Sequence, residues 1–118
     1  KVIYLDFWAS WCAPCRVSFP EIIKLKQDLA DKPFEVIAIT VDENPEAANR
    51  FLGRYDVPYP ILHDSDGEWA ARYRLPGMPT SFVIDRDGVI RLRHSGFKPG
   101  DMAIIREKIE NLLAADGL

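Results

Sequence analysis

The sequence predicts an α/β fold, in which a mixed central sheet carries helices on both faces of a single domain over residues 1–118. Two patterns lead to this prediction. The chain opens with a strand, a helix and a strand, and such a unit pairs two parallel strands through a right-handed crossover. Later, two apolar runs flank the sequence DRDG at residues 85–88, which is typical of the turn in an antiparallel β-hairpin.

The first half of the chain contains the strand–helix–strand unit. Lys1–Trp8 is rich in β-branched and aromatic residues and is predicted to be a buried strand. Apolar residues recur at helical spacing over Ala13–Ala30, and Phe34–Val41 is predicted to be the second strand. A second helix is predicted to follow, with Asn44 as its N-cap and Pro45 at its first position.

The second half supplies the remaining elements. Val57–Leu62 is short and interrupted by two prolines, which predicts an edge strand. Glu68–Tyr73 is predicted to be a short helix, and Ser81–Ile84 and Val89–Leu92 are predicted to be the strands of the hairpin. The last helix is predicted to end just before Gly117.

Composition limits the classes of function. Apolar residues make up 47% of the chain and charged residues 28%, as in soluble globular domains. The net charge of −3 argues against a nucleic-acid partner, because duplex binding usually needs a basic face. The sequence shows neither an apolar run long enough to cross a bilayer nor a signal peptide. It opens at Lys1 without a start Met, as it would if a leader or anchor had been cut away.

Cys12 and Cys15 enclose Ala-Pro where the first strand gives way to the first helix. The N-terminus of a helix carries roughly half a positive charge and several unpaired N–H groups, which favours a thiolate at Cys12. Cys15 follows by one helical turn, from where it can attack a mixed disulfide formed at Cys12 and release the product. The spacing therefore predicts a redox-active dithiol.

Three other interpretations of the two cysteines stay open on the residues alone. A structural disulfide across so short a loop would constrain the unfolded chain little. A zinc half-site would need two further ligands, and His63 and His94 show no metal-ligand spacing. The third alternative is an incidental pair of thiols in the first helical turn.

The run DFWASWCAPC at residues 6–15 resembles the thioredoxin signature. Pro20 stands where thioredoxins carry the proline that kinks the active-site helix, and MPT at residues 78–80 looks like the loop that holds their cis-proline. The long segment Pro45–Tyr73 ahead of that loop, the DRDG turn and the sequence FPE at residues 19–21 are similar to the bacterial TlpA/ResA/CcmG group. The resemblance implies a thioredoxin fold with an extra helix–strand segment before the cis-proline loop.

The resemblance also implies roles for individual residues. Cys12 is the implied nucleophile and Cys15 the implied resolving thiol. Asp6 is expected to take the proton of Cys15, because burial raises the pKa of a carboxyl group towards neutrality. The alternative is a solvated Asp6 on an edge strand. Ala38 stands where thioredoxin has a Lys beside this Asp, and Arg16 is expected either to favour the thiolate or to lie on a solvated helix face.

The loop ahead of the hairpin is expected to bind the substrate. By the resemblance, the peptide bond before Pro79 is cis and Pro79 faces Cys12. The backbone of Met78 is expected to pair with an extended substrate segment, as in strand addition. The implied substrate-binding residues are Trp11, Gly77, Met78, Pro79 and Thr80, and no metal ligand is implied. For Trp11 and Met78 the alternative is ordinary packing.

These features predict a thiol–disulfide oxidoreductase that reduces protein disulfides, because the uncharged Ala-Pro pair between the cysteines resembles that of reducing members of the family. Alternatives are an oxidant or isomerase on the same fold, a copper-binding or copper-delivery thiol module, and a redox-inert interaction domain. No organic cofactor is expected, since the dithiol carries both electrons.

Members of the TlpA/ResA/CcmG group are mostly tethered outside the cytoplasmic membrane, and they serve cytochrome c maturation and copper-site assembly. The resemblance therefore implies a periplasmic or otherwise extracytoplasmic protein, membrane-anchored in its full length, with a cytoplasmic location as the alternative. The expected partners are client protein disulfides and an upstream thiol reductant, either a membrane thiol carrier or a thioredoxin reductase. A monomer is usual in the family.

Overall fold

A computed structural model describes residues 1–116. The elements in chain order are β1 (Val2–Trp8), α1 (Ala13–Asp28), β2 (Phe34–Thr40), α2 (Pro45–Leu52), β3 (Ile61–His63), α3 (Glu68–Arg72), β4 (Thr80–Ile84), β5 (Ile90–Ser95) and α4 (Asp101–Asp116). The type and order of these elements match the sequence prediction. The predicted helix end at Gly117 lies outside the described residues.

The strands form one mixed sheet in the order β3-β2-β1-β4-β5. β1 is the central strand: it pairs in parallel with β2 and antiparallel with β4. β3 extends the parallel half, and β5 extends the antiparallel half as the second strand of the predicted hairpin. The predicted mixed α/β architecture is thus confirmed, and residues in the middle of β1 have neighbouring strands on both sides.

Helices cover the two faces of the sheet unequally. One face carries the larger apolar cluster, called here the first core, to which β1 contributes Tyr4 and Trp8 and to which α1, α2 and α4 all contribute. The opposite face carries the second core, which contains Leu5 and Phe7 of β1. Tyr73, directly after α3, packs against that second core. Helices therefore lie on both faces, as predicted, but of the described helices α1, α2 and α4 pack on the first core, and short α3 lies on the second.

Alternation along β1 places Asp6 on the face of the first core. Successive side chains of a strand point to opposite faces, so Asp6 shares its face with Tyr4 and Trp8. Cys12 and Cys15 belong to the same core. The central strand thus carries an acidic side chain on the side of the sheet where the cysteines lie.

The largest departure from the predicted boundaries is at β3, which is half as long as the predicted strand Val57–Leu62. Pro58 and Pro60 lack the N–H groups that a sheet ladder needs. Pro60 still contributes its carbonyl oxygen, which accepts a hydrogen bond of 3.2 Å from the Ala38 N–H. Regular pairing begins only after the second proline. No helix in the described range is both long and apolar enough to cross a membrane.

Candidate active site

Cys12 and Cys15 form a disulfide at the N-terminus of α1, with their Cα atoms 5.3 Å apart. Cys12 is the N-cap residue of the helix, and its Sγ accepts a hydrogen bond of 3.2 Å from the Cys15 N–H. Pro14 occupies the first turn, where its missing N–H leaves no intrahelical bond unmade. The backbone N–H of Cys15 therefore points at the sulfur of Cys12, the residue at which the sequence predicts a stabilised thiolate.

The two sulfur-bearing residues differ in accessibility. Cys12 retains 4% of its surface and Cys15 none. Trp11, immediately before Cys12, is 65% exposed. A large partner can therefore approach Cys12 from the side of Trp11, whereas Cys15 is closed to it.

Asp42 fixes the loop that leads from β1 into the dithiol. Its carboxylate accepts hydrogen bonds from the Ser10 N–H at 2.9 Å, from the Ser10 hydroxyl at 2.7 Å and from the Thr40 hydroxyl. Asp42 is only 2% exposed, so these bonds satisfy a buried charge. Sequence reasoning missed this anchor. The sequence does contain a signal for it. Asp42 is an acidic residue directly after the second strand, at the same end of the sheet as the loop that leads to the dithiol.

Arg16 reinforces the same loop. Its Nε and a terminal guanidinium nitrogen donate to the Ser10 carbonyl at 3.3 and 3.1 Å. The residue is exposed on the helix surface, as the second of the two predicted alternatives had it. Arg16 thus binds the backbone two residues before Cys12. The sequence did not predict this contact.

Asp6 lies buried in the middle of the sheet. It is 2% exposed and is flanked by Ala38 of β2 and Ser81 of β4, which confirms the alignment that put Ala38 beside it. Burial raises the pKa of Asp6 to about 8. The alternative of a solvated edge carboxylate is therefore wrong, because β1 is central and its neighbours remove Asp6 from water.

Tyr59 is a further polar neighbour on this side of the sheet. Burial and the nearby charge of Asp6 raise the pKa of the Tyr59 phenol. Its hydroxyl is buried and, within residues 1–116, has no hydrogen-bond partner. Asp6 therefore lies in an apolar and aromatic environment, and its polar neighbour Tyr59 is a neutral phenol, whereas thioredoxin has a Lys beside this Asp.

The loop before β4 lies at the same end of the sheet as the dithiol. The peptide bond between Met78 and Pro79 is cis, as the resemblance implies. β4 starts at Thr80, which pairs with Phe7 near the end of β1. Both loops therefore leave the sheet at one edge. The Pro79 carbonyl accepts a hydrogen bond of 2.8 Å from the Gly96 N–H, which ties the loop to the residue after β5.

The predicted substrate-binding residues have different environments. Gly77 is exposed, whereas Met78 is half-buried and packs against both cores, as its alternative of ordinary packing had it. Thr80 is 1% exposed and its hydroxyl donates to the Gly77 carbonyl at 2.7 Å. This bond closes the loop around the cis-proline, which fits Thr80 for holding the loop's shape.

Comparison with known proteins agrees with this geometry. The redoxin family pattern matches residues 1–113. Thiol-disulfide oxidoreductase ResA of Bacillus thuringiensis is 37% identical over 90 residues, covering 76% of this chain and 52% of the relative. Thiol:disulfide interchange protein HelX of Rhodobacter capsulatus is 37% identical over 115 residues, covering 97% of this chain and 62% of the relative.

A solved structure shows the same fold. A Chlorobium tepidum protein assigned as a thiol:disulfide interchange protein DsbE superimposes with a TM-score of 0.92 at 40% identity, covering 96% of this chain and 80% of that one. The chain belongs to the redoxin family, within the thioredoxin superfamily, and its likeness to ResA, HelX and DsbE confirms the predicted TlpA/ResA/CcmG resemblance. It spans about half the length of the ResA proteins that it matches.

Proposed function

We propose that this chain carries out thiol–disulfide exchange and acts as a reductase of protein disulfides. The observation that carries the proposal is the placement of Cys12 at the N-cap of α1. There its sulfur receives the Cys15 N–H, and Cys15 lies buried one turn behind it. The names of the ResA and HelX relatives also describe thiol–disulfide exchange.

The reaction begins with the reduced pair. The Cys12 thiolate attacks one sulfur of a client disulfide, which forms a mixed disulfide and releases the first client thiolate. The Cys15 thiol then loses its proton, and its thiolate attacks the Cys12 sulfur. The mixed disulfide breaks, the second client thiolate leaves, and the Cys12–Cys15 disulfide forms. Two electrons pass from the dithiol to the client, whose two thiolates take up two protons.

Asp6 is the acceptor that we assign to the Cys15 proton. Its position supports this role, because it lies buried on the sheet face whose core contains Cys15. A pKa of about 8 keeps a fraction of the carboxyl ionised at neutral pH and makes that form a stronger base than an ordinary carboxylate. The resolving step should therefore speed up as the pH rises towards 8.

The client binds across the two loops at the dithiol end of the sheet. Trp11 offers an exposed aromatic surface, and the backbone at Gly77 and Met78 offers hydrogen-bonding groups to an extended segment. Thr80 holds this loop closed through its hydrogen bond to the Gly77 carbonyl.

The direction of electron flow is assigned from the residues between the cysteines. Strong oxidants stabilise their thiolate heavily. Ala13 and Pro14 contribute no ionisable group to do so. The family resemblance supports an extracytoplasmic setting, client protein disulfides such as those met in cytochrome c maturation, and an upstream thiol reductant. The dithiol needs no organic cofactor for this exchange.

The proposal is tested with the two single-cysteine variants, which lack the same disulfide and so control for each other's stability. The pre-reduced protein is mixed with a disulfide-bonded substrate protein, and released thiols are counted. Cys12→Ser should abolish reduction, whereas Cys15→Ser should accumulate a covalent mixed disulfide through Cys12 that mass spectrometry detects. Equal activity of Cys12→Ser and the parent would refute the proposal.

A further inference from the structure

We propose that a groove beside the dithiol, formed by three arginines, docks an acidic segment of the client protein. The inference rests on the proposed reductase function and names the chemistry of the segment that the client presents next to its disulfide. This arginine groove is a surface cavity of about 310 Å³. The residues of its lining that matter here are Ser10, Trp11, Arg16, Arg50, Phe51 and Arg54.

The arginine groove adjoins the loop that leads into the dithiol. One wall is formed by the loop that leads into Cys12. It consists of Trp11 and of Arg16, which donates a hydrogen bond to the Ser10 carbonyl. The other wall comes from α2 and the residues that follow it. α2 is held in place by Phe51, whose ring lies 5.4 Å from that of Trp8 and 5.2 Å from that of Phe19. A segment lying in the groove thus contacts Trp11, the residue immediately before Cys12.

Among residues 1–116, the arginines of the groove form no ion pair with a carboxylate of the chain itself. In the part of the chain that the structure describes, no ion pair joins Arg50 or Arg54 to a carboxylate, although Glu46 stands one turn before Arg50. Arg16 is bonded to a neutral carbonyl. The carboxylate of Asp42 is buried and already accepts from Ser10.

This local charge runs against the charge of the whole chain, which is −3. Exposed guanidinium groups bind carboxylates through paired, charge-assisted hydrogen bonds, so they fit Asp and Glu side chains better than other peptide groups. Trp11 is 65% exposed and supplies an apolar surface for the neighbouring residues of the same segment. An acidic client segment satisfies both features, and the net negative charge of the chain disfavours its binding elsewhere.

The test uses three peptides that each contain one intramolecular disulfide and differ only in flanking residues, which are acidic, neutral or basic. The rate of reduction by the pre-reduced protein is measured at low and at high ionic strength. We expect the acidic peptide to react about tenfold faster than the basic one at low salt, and we expect the ratio to shrink at high salt.

Charge-reversal variants localise the effect. Arg50→Glu and Arg54→Glu should each lower the acidic-to-basic rate ratio several-fold. Lys32→Glu is the matched control, since it changes the charge equally on an exposed residue beyond the far end of α1 and should keep the ratio of the parent. Thermal unfolding verifies that the variants remain folded.

The outcomes separate this inference from the proposed function. Equal reduction of the three peptides, or an unchanged ratio in both arginine variants, would overturn the docking groove while leaving the reductase in place. If the ratio falls equally in Lys32→Glu, the preference comes from overall charge and the groove is again refuted. If none of the peptides is reduced, both proposals fail together.

Discussion

A single carboxylate in the central strand connects the stability of this protein with the proton transfer that we propose for it. Asp6 is surrounded by apolar and aromatic groups, and burial alone raises its pKa to about 8. In an unfolded chain an aspartate has a pKa of about 3.9. The folded protein therefore binds this proton more tightly than the unfolded chain does, and ionised Asp6 weakens the fold.

The first prediction concerns Asp6→Asn. Below about pH 4, Asp6 is protonated in both the folded and the unfolded state and does not affect the free energy of unfolding. Between pH 4 and 8, the burial of Asp6 lowers the free energy of unfolding progressively. Each pKa unit of difference between the two states corresponds to about 1.4 kcal/mol. The variant should gain stability over the parent, and the gain should be several kcal/mol larger at pH 9 than at pH 5, as measured by urea unfolding.

The same substitution should slow the reaction. Asn cannot accept the Cys15 proton, so the rise in rate that we expect between pH 6 and 8 should flatten in Asp6→Asn. Stability that rises while the rate profile flattens would identify Asp6 as a functional carboxylate. A variant with an unchanged pH–rate profile would remove Asp6 from the mechanism.

Asp42 gives the second prediction. Replacing it by Ala leaves the Ser10 N–H and the Ser10 and Thr40 hydroxyls without their acceptor. Loss of a buried, hydrogen-bonded carboxylate costs roughly 1–3 kcal/mol, or more because the acceptor is charged. Asp56→Ala is the control, since Asp56 is exposed. Urea unfolding should show the loss for Asp42→Ala only, and equal stability of the two variants would contradict the anchoring role.

At the scale of an element, the start of α4 depends on a charge cluster. Asp101 accepts from the Lys98 N–H at 3.0 Å and from the Lys98 ammonium at 3.1 Å, and its carboxylate lies 2.9 Å from Nε2 of His94. Burial raises the pKa of Asp101, but the hydrogen bonds from His94 and Lys98 outweigh it and lower the pKa to about 2. The cluster therefore joins β5 to the first turn of α4.

This cluster yields the third prediction. Because the pKa of Asp101 is lower in the folded protein than in the unfolded chain, its contribution to stability is present above about pH 4 and is lost as the pH falls to about 2. Asp101→Asn should thus reduce the slope of unfolding free energy against pH in that window. Asp31→Asn, at an exposed aspartate, is the matched control. Equal slopes in both variants would contradict the assignment.

Elements with strong local signals could be predicted from the sequence. The apolar run of β1, the capping pair Asn44 and Pro45, and the DRDG turn each specify a structure within a few residues, and each was found. The dithiol and the cis-proline loop could be predicted because a motif marks each. β3 was too long in the prediction, since the prolines prevent pairing that its apolar pattern would otherwise allow.

The remaining features depend on contacts between distant parts of the chain. The link from Asp42 to Ser10 spans 32 residues, and no local pattern encodes it. The arginine groove brings Arg16 of α1 beside Arg50 and Arg54, which become neighbours only when α2 packs on the first core. Burial of Asp6 needed the sheet order, because only a central β1 excludes water from both sides.

At the scale of the whole molecule, redox state and folding stability are coupled. The disulfide closes a loop of four residues, so it restricts the unfolded chain little. Any large difference in stability between the oxidised and reduced protein therefore arises in the folded state. A strong oxidant of this fold has a stabilised reduced form, and a reductant has the opposite preference.

The fourth prediction is the reduction potential of the Cys12–Cys15 pair. Since no ionisable side chain lies between the cysteines to stabilise the thiolate, we expect a value below about −230 mV, and we expect the oxidised protein to resist urea better than the reduced one. The protein is equilibrated in glutathione buffers while tryptophan fluorescence is followed, because Trp8 and Trp11 flank the site. A potential above about −180 mV, with a more stable reduced form, would instead make this protein an oxidant or isomerase. The same fold and the same dithiol would then run the exchange in the opposite direction.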